Sequence, residues 1–169
     1  MSIAQAMLQE FEMESATTRK FLERVPAGKY DWKPHEKSMT LGRLAGHVAE
    51  MGMWGQMTAE MDEIDIAPVG QEPYKACVAT SPEQLLADFD KYTAAFKQAL
   101  PKVTDEKMMK PWSLKAGGNT LFTIPRVACL RNFVLNHNVH HRAQLGVYFR
   151  LLDIPVPQTY GPSADETGM

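Results

Sequence analysis

Apolar positions recur at steps of three and four in four stretches of the chain, the spacing of one face of an α-helix. The first stretch runs from about Ser2 to Val25, with Ala4, Leu8, Phe11, Ser15, Thr18, Leu22 and Val25 on one side. Pro26 and Gly28 end it. The second runs from about Leu41 to Met61 behind Ser38 or Thr40 as N-cap. Its stripe is Leu44, His47, Met51, Trp54, Thr58 and Met61. Gly42, Gly46, Gly52 and Gly55 fall in this helix, each weakening it by up to about 1 kcal/mol relative to Ala. They admit two readings, close approach of a neighbour or room for a ligand.

The third helix opens with Ser81 as cap, Pro82 in the first turn, then Glu83 and Gln84. Leu85, Phe89, Tyr92, Phe96 and Leu100 form its inner face, and Pro101 ends it. The fourth is predicted from about Ile124 to Leu152, capped by Thr123 with Pro125 in the first turn. Val127, Leu130, Val134, His137, His141, Gln144, Tyr148 and Leu151 make its stripe, and Asp153-Ile154-Pro155 terminates it. The segment from Tyr30 to Ser38 reads as a packed loop, and the tail from Val156 to Met169 as irregular. Lys102 to Thr123 is long for a structureless loop. Trp112–Leu114 and Thr120–Phe122 flank Gly117-Gly118 there, the pattern of a short hairpin. The expected fold is all-α: a four-helix bundle with long inter-helix connections, in one domain spanning residues 1–169.

Three histidines interrupt these stripes. His137 and His141 lie four apart, so their rings project from one face about one turn apart. His47 interrupts the second stripe in the same way. Three uncompensated imidazoles in a core would cost several kcal/mol. A divalent metal is one natural partner, and hydrogen bonds within a plain bundle are the other. Three imidazoles would leave a coordination position open, as in a catalytic zinc site; a closed structural site prefers four ligands.

Neighbouring residues are weighed separately. Gln144 follows His141 by three and either bonds a ligand imidazole or is a polar residue near the bundle end. Glu50 is expected as a solvated helix-face carboxylate, with orientation of a ligand or a role as base as the alternative. Trp54 is expected in the core or a pocket wall, His140 on the surface, His35 in a solvated loop and Arg142 on the exterior.

Composition removes several classes. A net charge of −2 over 169 residues, with no cluster of Lys and Arg, argues against nucleic-acid binding. No 18-residue apolar run suits a membrane span, and Met1 to Gln9 does not resemble a signal peptide. Cys77 and Cys129 make no disulfide framework, which points to a reducing cytoplasm. The eleven methionines are explained by core filling. There is no GxSxG elbow, phosphate loop or HExxH, and neither cysteine has neighbours that argue for a thiolate nucleophile.

The residues that remain resemble the DinB/YfiT-like superfamily of metal-binding four-helix bundles. The resemblance is carried by Leu44-Ala45-Gly46-His47 and by Asn136 to Gln144, which contains the family's late HxxxHR[GA]Q pattern. Trp32-Lys33-Pro34 and the stretch Leu151 to Pro157 fit as well. Ala143 stands where Gly is more frequent, a change that touches none of the ligands. The resemblance implies a divalent ion, zinc or nickel, held by His47, His137 and His141, and a homodimer. It also implies catalysis with a low-molecular-weight thiol and a small electrophile, as in bacillithiol- or mycothiol-dependent relatives. A metal-dependent hydrolase and a non-catalytic, stress-associated metal-binding dimer are the alternatives. The family's name refers to DNA-damage induction and implies no DNA contact.

Overall fold

The structure is a computed structural model that describes residues 1–167. It is mostly helical, with a three-stranded sheet inserted before the last helix and joined to the loop after the second. Helix α1 spans Ile3–Leu22, and Ser2 and Gln5 cap it reciprocally. The second helical stretch is two helices, α2 (Leu41–Ala49) and α3 (Met51–Glu60), broken at Glu50. Thr40 caps α2 through the Arg43 N–H. Strand β1 (Glu63–Asp65) follows, then α4 (Pro82–Ala99), capped by Ser81 as its sequence requires. A 3₁₀ turn (Leu100–Lys102) and the short α5 (Asp105–Met109) lead into β2 (Pro111–Ala116) and β3 (Asn119–Pro125). The chain ends in a long continuous helical run: α6 (Arg126–Cys129), a π-helical segment (Leu130–Asn136) and α7 (His137–Leu151).

The apolar stripes meet in two layers. Phe21 and Leu22 of α1, Leu44 and Val48 of α2, Leu85 and Phe89 of α4, and Leu145 and Phe149 of α7 fill one end. Met7 and Phe11 of α1, Ala59 of α3, Phe96 of α4, and Leu130 and Val134 of the π segment fill the other. Full burial of each such large apolar side chain contributes about 1.5–3 kcal/mol. Phe11 and Phe96 meet edge to face at 4.7 Å. The glycines of the second stretch serve close approach. A Cβ on Gly46 would collide with the Cys77 backbone, and one on Gly52 with the Tyr92 backbone.

The sheet corrects the all-α expectation. β2 and β3 pair antiparallel around Gly117 and Gly118, at φ +61° and +78°, values that suit glycine. The Asp65 carboxylate accepts from both glycine N–H groups, which ties β1 to the hairpin tip. β1 runs parallel to β2. Ile64 and Trp112, with Cys129 of α6, form a third apolar cluster over Trp54 and Met57 of α3. Ile124 and Pro125, expected in the first turn of the last helix, instead pair with Trp112 and Pro111. The ladder claims them because Ile124 sits opposite a buried tryptophan, and the helix starts one residue after Pro125.

The π segment corrects a second expectation. It adds width to the run before His137, so the core-facing positions beyond it are Asn138, His141, Arg142, Leu145, Tyr148 and Phe149. Leu151 turns outward to 58% exposure, and Arg142, expected outside, is 2% exposed. Arg142 pairs with Glu14 at 2.6 Å and donates to the Thr18 hydroxyl. Thr18 in turn donates to Asn138 Oδ1, and Asn138 donates to the Val48 carbonyl. A polar chain thus ties α1, α2 and α7 together through the core. The tail is irregular as far as it is described, and Arg24–Glu166 and Arg150–Asp165 pairs hold it to the turn after α1 and to α7.

Arg126 is fully buried at the start of α6. Its guanidinium donates to the Thr58 and Met61 carbonyls at the end of α3, to the Lys107 carbonyl of α5, and to Asp62. At the end of α3 the cation satisfies carbonyls that lack intrahelical partners. Arg126→Met keeps volume but orphans the Thr58 and Met61 carbonyls and strips Asp62 of its cation, so unfolding by urea is expected to show a loss of about 3 kcal/mol or more. A loss under 1 kcal/mol would contradict this account.

Candidate metal centre

His47 lies in the last turn of α2, and His137 and His141 in the first turns of α7. The two elements bring the three rings together, with His47 to His137 centroids 5.0 Å apart and His47 to His141 4.5 Å. The Nε2 atoms face one another: 3.2 Å separates those of His47 and His137, and 2.7 Å those of His137 and His141. One ligand atom from each histidine lies within 4.8 Å of the others, and among the described residues this is the group of three or more that could hold an ion.

The outer nitrogens are occupied. His47 Nδ1 sits 2.6 Å from Glu50 Oε1, and His141 Nδ1 2.7 Å from Gln144 Oε1. Arg43 Nη2 also lies 3.2 Å from His47 Nδ1, but the nearer carboxylate oxygen, like the Gln144 oxygen, is an acceptor, so each Nδ1 is assigned the proton and each Nε2 a lone pair. The Phe133 backbone favours a protonated His137. Lone pairs pointed at one another at these distances repel unless a cation lies between them. Nitrogens around a tetrahedral zinc at about 2.0–2.1 Å stand roughly 3.3 Å apart. The donor set and its spacing therefore fit a divalent ion, with slight opening of the His137–His141 pair.

Glu50 overturns its expected role. It sits in the break between α2 and α3, at φ −77° and ψ −5°, and its side chain is wholly buried. Burial by itself pushes its pKa up. Bonds from His47 and from the Cys77 backbone N–H, with the charge of Arg43, outweigh burial and hold the carboxyl below its ordinary range. Both terminal nitrogens of Arg43 reach Glu50 Oε1 at 3.2 Å. The Tyr74 hydroxyl also faces Glu50 and favours its charged form, though this buried oxygen falls short of hydrogen-bonding geometry with any partner. Arg43 and Tyr74 had no place in the sequence reading. The spacing of Arg43, His47 and Glu50, four then three, carried the signal for the first. Tyr74 arrives from a loop, where only the fold can place it.

The remaining residues fall as follows. His140 is exposed and meets Gln144 Nε2 at 3.1 Å, outside the three-histidine group. His35 is exposed and accepts from its neighbour Lys37 N–H. Burial raises both Cys77 and Cys129 to about 11, so both are thiols near neutral pH. The row His47, Met51, Trp54 and Thr58 lines a cavity of about 190 Å³. The sheet closes it with Trp112, Leu114 and Phe122, and His137 and Phe133 border it.

With this fold and these histidines in place, the chain can be compared with known proteins. It matches the DinB family over residues 1–168. The chain belongs to the DinB family. A curated relative, the uncharacterized protein YrdA of Bacillus subtilis (strain 168), is 29% identical over 161 residues, covering 94% of this chain and 89% of YrdA. Two solved structures share the fold, each with a TM-score of 0.67. A DinB-like protein from Bacillus cereus ATCC 10987 is 24% identical, the match covering 94% of this chain and 98% of that one. The DinB-like protein YjoA of Bacillus subtilis is 18% identical, covering 97% and 99%. No helix among the described residues is long and apolar enough to cross a membrane.

Burial gives the metal-free protein a pH signature. It lowers His141 from 6.5 to about 4, and lowers His137 in the same direction, with the charges of His47 and His140 adding to the effect. Below about pH 6.5 the unfolded chain takes up a proton that the folded protein refuses until about pH 4. Stability therefore falls as pH drops through that window, by up to about 3 kcal/mol for His141. Thermal melts of chelator-treated protein between pH 7 and 5 are expected to slope downward, with a shallower slope in His141→Gln. Equal slopes in the two proteins would refute the assignment.

Proposed function

We propose that this DinB-family chain is a metal-dependent enzyme in which His47, His137 and His141 hold one divalent ion, zinc or nickel. The supporting observation is the convergence of three Nε2 atoms, two of them from rings whose other nitrogen is already engaged. When bound, the ion supplies Lewis acidity that lowers the pKa of a thiol or water at the open position. The four long helical segments serve as the four-helix-bundle scaffold. Glu50 and Gln144 keep the ligand tautomers, and Arg43 compensates the buried carboxylate. Trp54, Trp112 and Phe122 exclude water from the cavity beside the histidines. Both cysteines are protonated and buried or half-buried, which favours an external thiol as nucleophile. A small electrophile occupies the cavity, in a reaction carried out in a reducing cytoplasm. The assembly is a homodimer; the exposed Phe133, Val147 and Leu151 of the last helical run support this.

Elemental analysis of untagged protein is expected to give about one divalent ion per chain, lost in His137→Ala. A metal-free wild type, or equal metal in both proteins, would remove the basis of the reading. Turnover of a model electrophile is expected to require added thiol and to vanish in His141→Ala; turnover without thiol would assign water as the nucleophile. Glu50→Gln keeps the shape but loses the charge behind His47. Metal affinity is then expected to fall roughly 10- to 100-fold in competition with a chromogenic chelator, the usual effect of losing such a partner.

A further inference from the structure

The three histidines border two spaces of different character. His47 and His137 line the cavity walled by aromatic rings, where the guanidinium of Arg43 is already paired with Glu50. His141 lines a second space, an open groove of about 390 Å³ between α7 and the loop before α2. Lys37, Ser38 and Met39 come from that loop, and His141, Gln144 and Tyr148 from the helix. Among the described residues no carboxylate lines the groove, so the Lys37 ammonium faces it without a counter-charge there.

The loop that carries Lys37 is held on both sides. Ser38 N–H donates to the His35 carbonyl at 3.0 Å, and Lys37 N–H to His35 Nδ1 at 3.1 Å. The Tyr148 hydroxyl donates to the Met39 carbonyl at 3.0 Å, one turn beyond Gln144, and Trp32 packs edge-on against the Tyr148 ring. Across the groove, Gln144 Oε1 accepts from His141 Nδ1, and Gln144 Nε2 gives one N–H to His140. A side-chain amide has two N–H donors, so the second is left for solvent or for an occupant of the groove. The Ser38 hydroxyl adds a further donor. An ammonium with two neutral donors beside it, and no acidic side chain in the lining, is a lining suited to an anion. One lysine balances one negative charge, which favours a carboxylate over a phosphate dianion.

We propose that this groove binds the carboxylate end of the thiol cosubstrate, with Lys37 as its counter-charge and Gln144 and Ser38 as donors, and that the two reactants approach the histidines from different sides. This deepens the reading of the site as a thiol-using metal centre and rests on it for the word cosubstrate, but capture of a carboxylate by the groove does not require the ion. Lys37 is exposed, so its attraction is modest and screened by salt. It decides which thiol is preferred, not whether a thiol binds. A thiol with a neutral end loses this contact, and one with a cationic end is repelled.

The test uses full-length protein in two forms, cobalt-loaded and chelator-treated. The probes are 3-mercaptopropionate, 3-mercaptopropanol and 3-aminopropanethiol, which share a chain length and carry an anionic, a neutral and a cationic end; butyrate matches the first without its sulfur. In the cobalt-loaded form, sulfur ligation is read from sulfur-to-cobalt charge-transfer absorption. At low salt 3-mercaptopropionate is expected to bind roughly three- to fivefold more tightly than 3-mercaptopropanol, the upper range for one exposed ion pair, with the amine weakest. High salt is expected to shrink the difference. In Lys37→Gln the preference is expected to fall below about twofold with the neutral thiol unchanged, and Lys37→Arg to retain it. Comparing each thiol between wild type and variant cancels differences in thiol basicity. In the chelator-treated form, butyrate and 3-mercaptopropionate are expected to move the backbone resonances of Lys37 to Met39 and the Gln144 side-chain amide, and 3-mercaptopropanol to leave them in place. The proposal is overturned if the thiols bind without regard to charge, if Lys37→Gln weakens all three alike, or if the carboxylates leave the groove resonances unmoved. Protein that takes up no cobalt would remove the metal reading instead, and the metal-free resonances would still decide the groove.

Discussion

A carboxylate with no access to water sits behind the three-histidine cluster, and much of the surrounding structure follows from its need for partners. Removing a carboxylate from water costs several kcal/mol even after relaxation. Glu50 meets that cost with three kinds of donor: the imidazole of His47, the guanidinium of Arg43, and the Cys77 backbone N–H. Each bond constrains a different piece of chain. The first fixes the tautomer and tilt of His47. The second sets Arg43 against the Cys77 carbonyl as well, at 3.1 Å. The third clamps the long loop before α4 onto α2, where Gly46 leaves room for the Cys77 backbone. The break between α2 and α3 falls at Glu50 itself, which separates the direction of the ligand helix from that of the cavity wall.

The loop from residue 62 to 80 is therefore structural, although it has little regular structure. Tyr74 N–H bonds the Ile66 carbonyl, and Ala79 N–H bonds Gly42 O. These bonds return the loop to the site twice, placing Tyr74 on the cavity and Cys77 on Glu50. The hairpin does the same from the other side, bringing Trp112 and Phe122 over α3. The result is a helical scaffold whose three-histidine face is closed by its least helical segments, a common division of labour between rigid elements and connections.

Much of this was legible in the chain. The spacing of His137 and His141, with His47 on the second stripe, sufficed to bring three rings together, because i, i+4 positions must share a face. Ser81, and Thr40 of the two caps considered for the second helix, announced helix starts that the structure keeps. The row His47, Met51, Trp54 and Thr58 was drawn as a core stripe and became the cavity wall; periodicity identifies an apolar face but not whether another element fills the space before it. Glu50 was misread as solvated because a carboxylate in a helix is most often at the surface, and its partner Cys77 is 27 residues away. Arg142 was misplaced because a π segment adds a residue to the turn, and nothing in Leu130 to Asn136 signals it. β1 is three residues long and pairs with a strand 50 positions onward (Glu63 with Ser113), a contact no local pattern encodes.

The three imidazoles are not equivalent, and the difference bears on what an ion bound among them can do. His47 leans on an ionised carboxylate and His141 on a neutral amide. A charged partner makes an imidazole a stronger donor than a neutral one does. The carboxylate is held one ring away from the ligand atoms, and Arg43 balances its charge. The immediate ligand set is therefore neutral, and a divalent ion held there keeps its double charge. A site built with a carboxylate ligand would give part of that charge up. Neutral imidazoles, a buried charge-balanced support and an apolar wall all act in one direction: they would raise the attraction of an ion bound there for an anionic ligand.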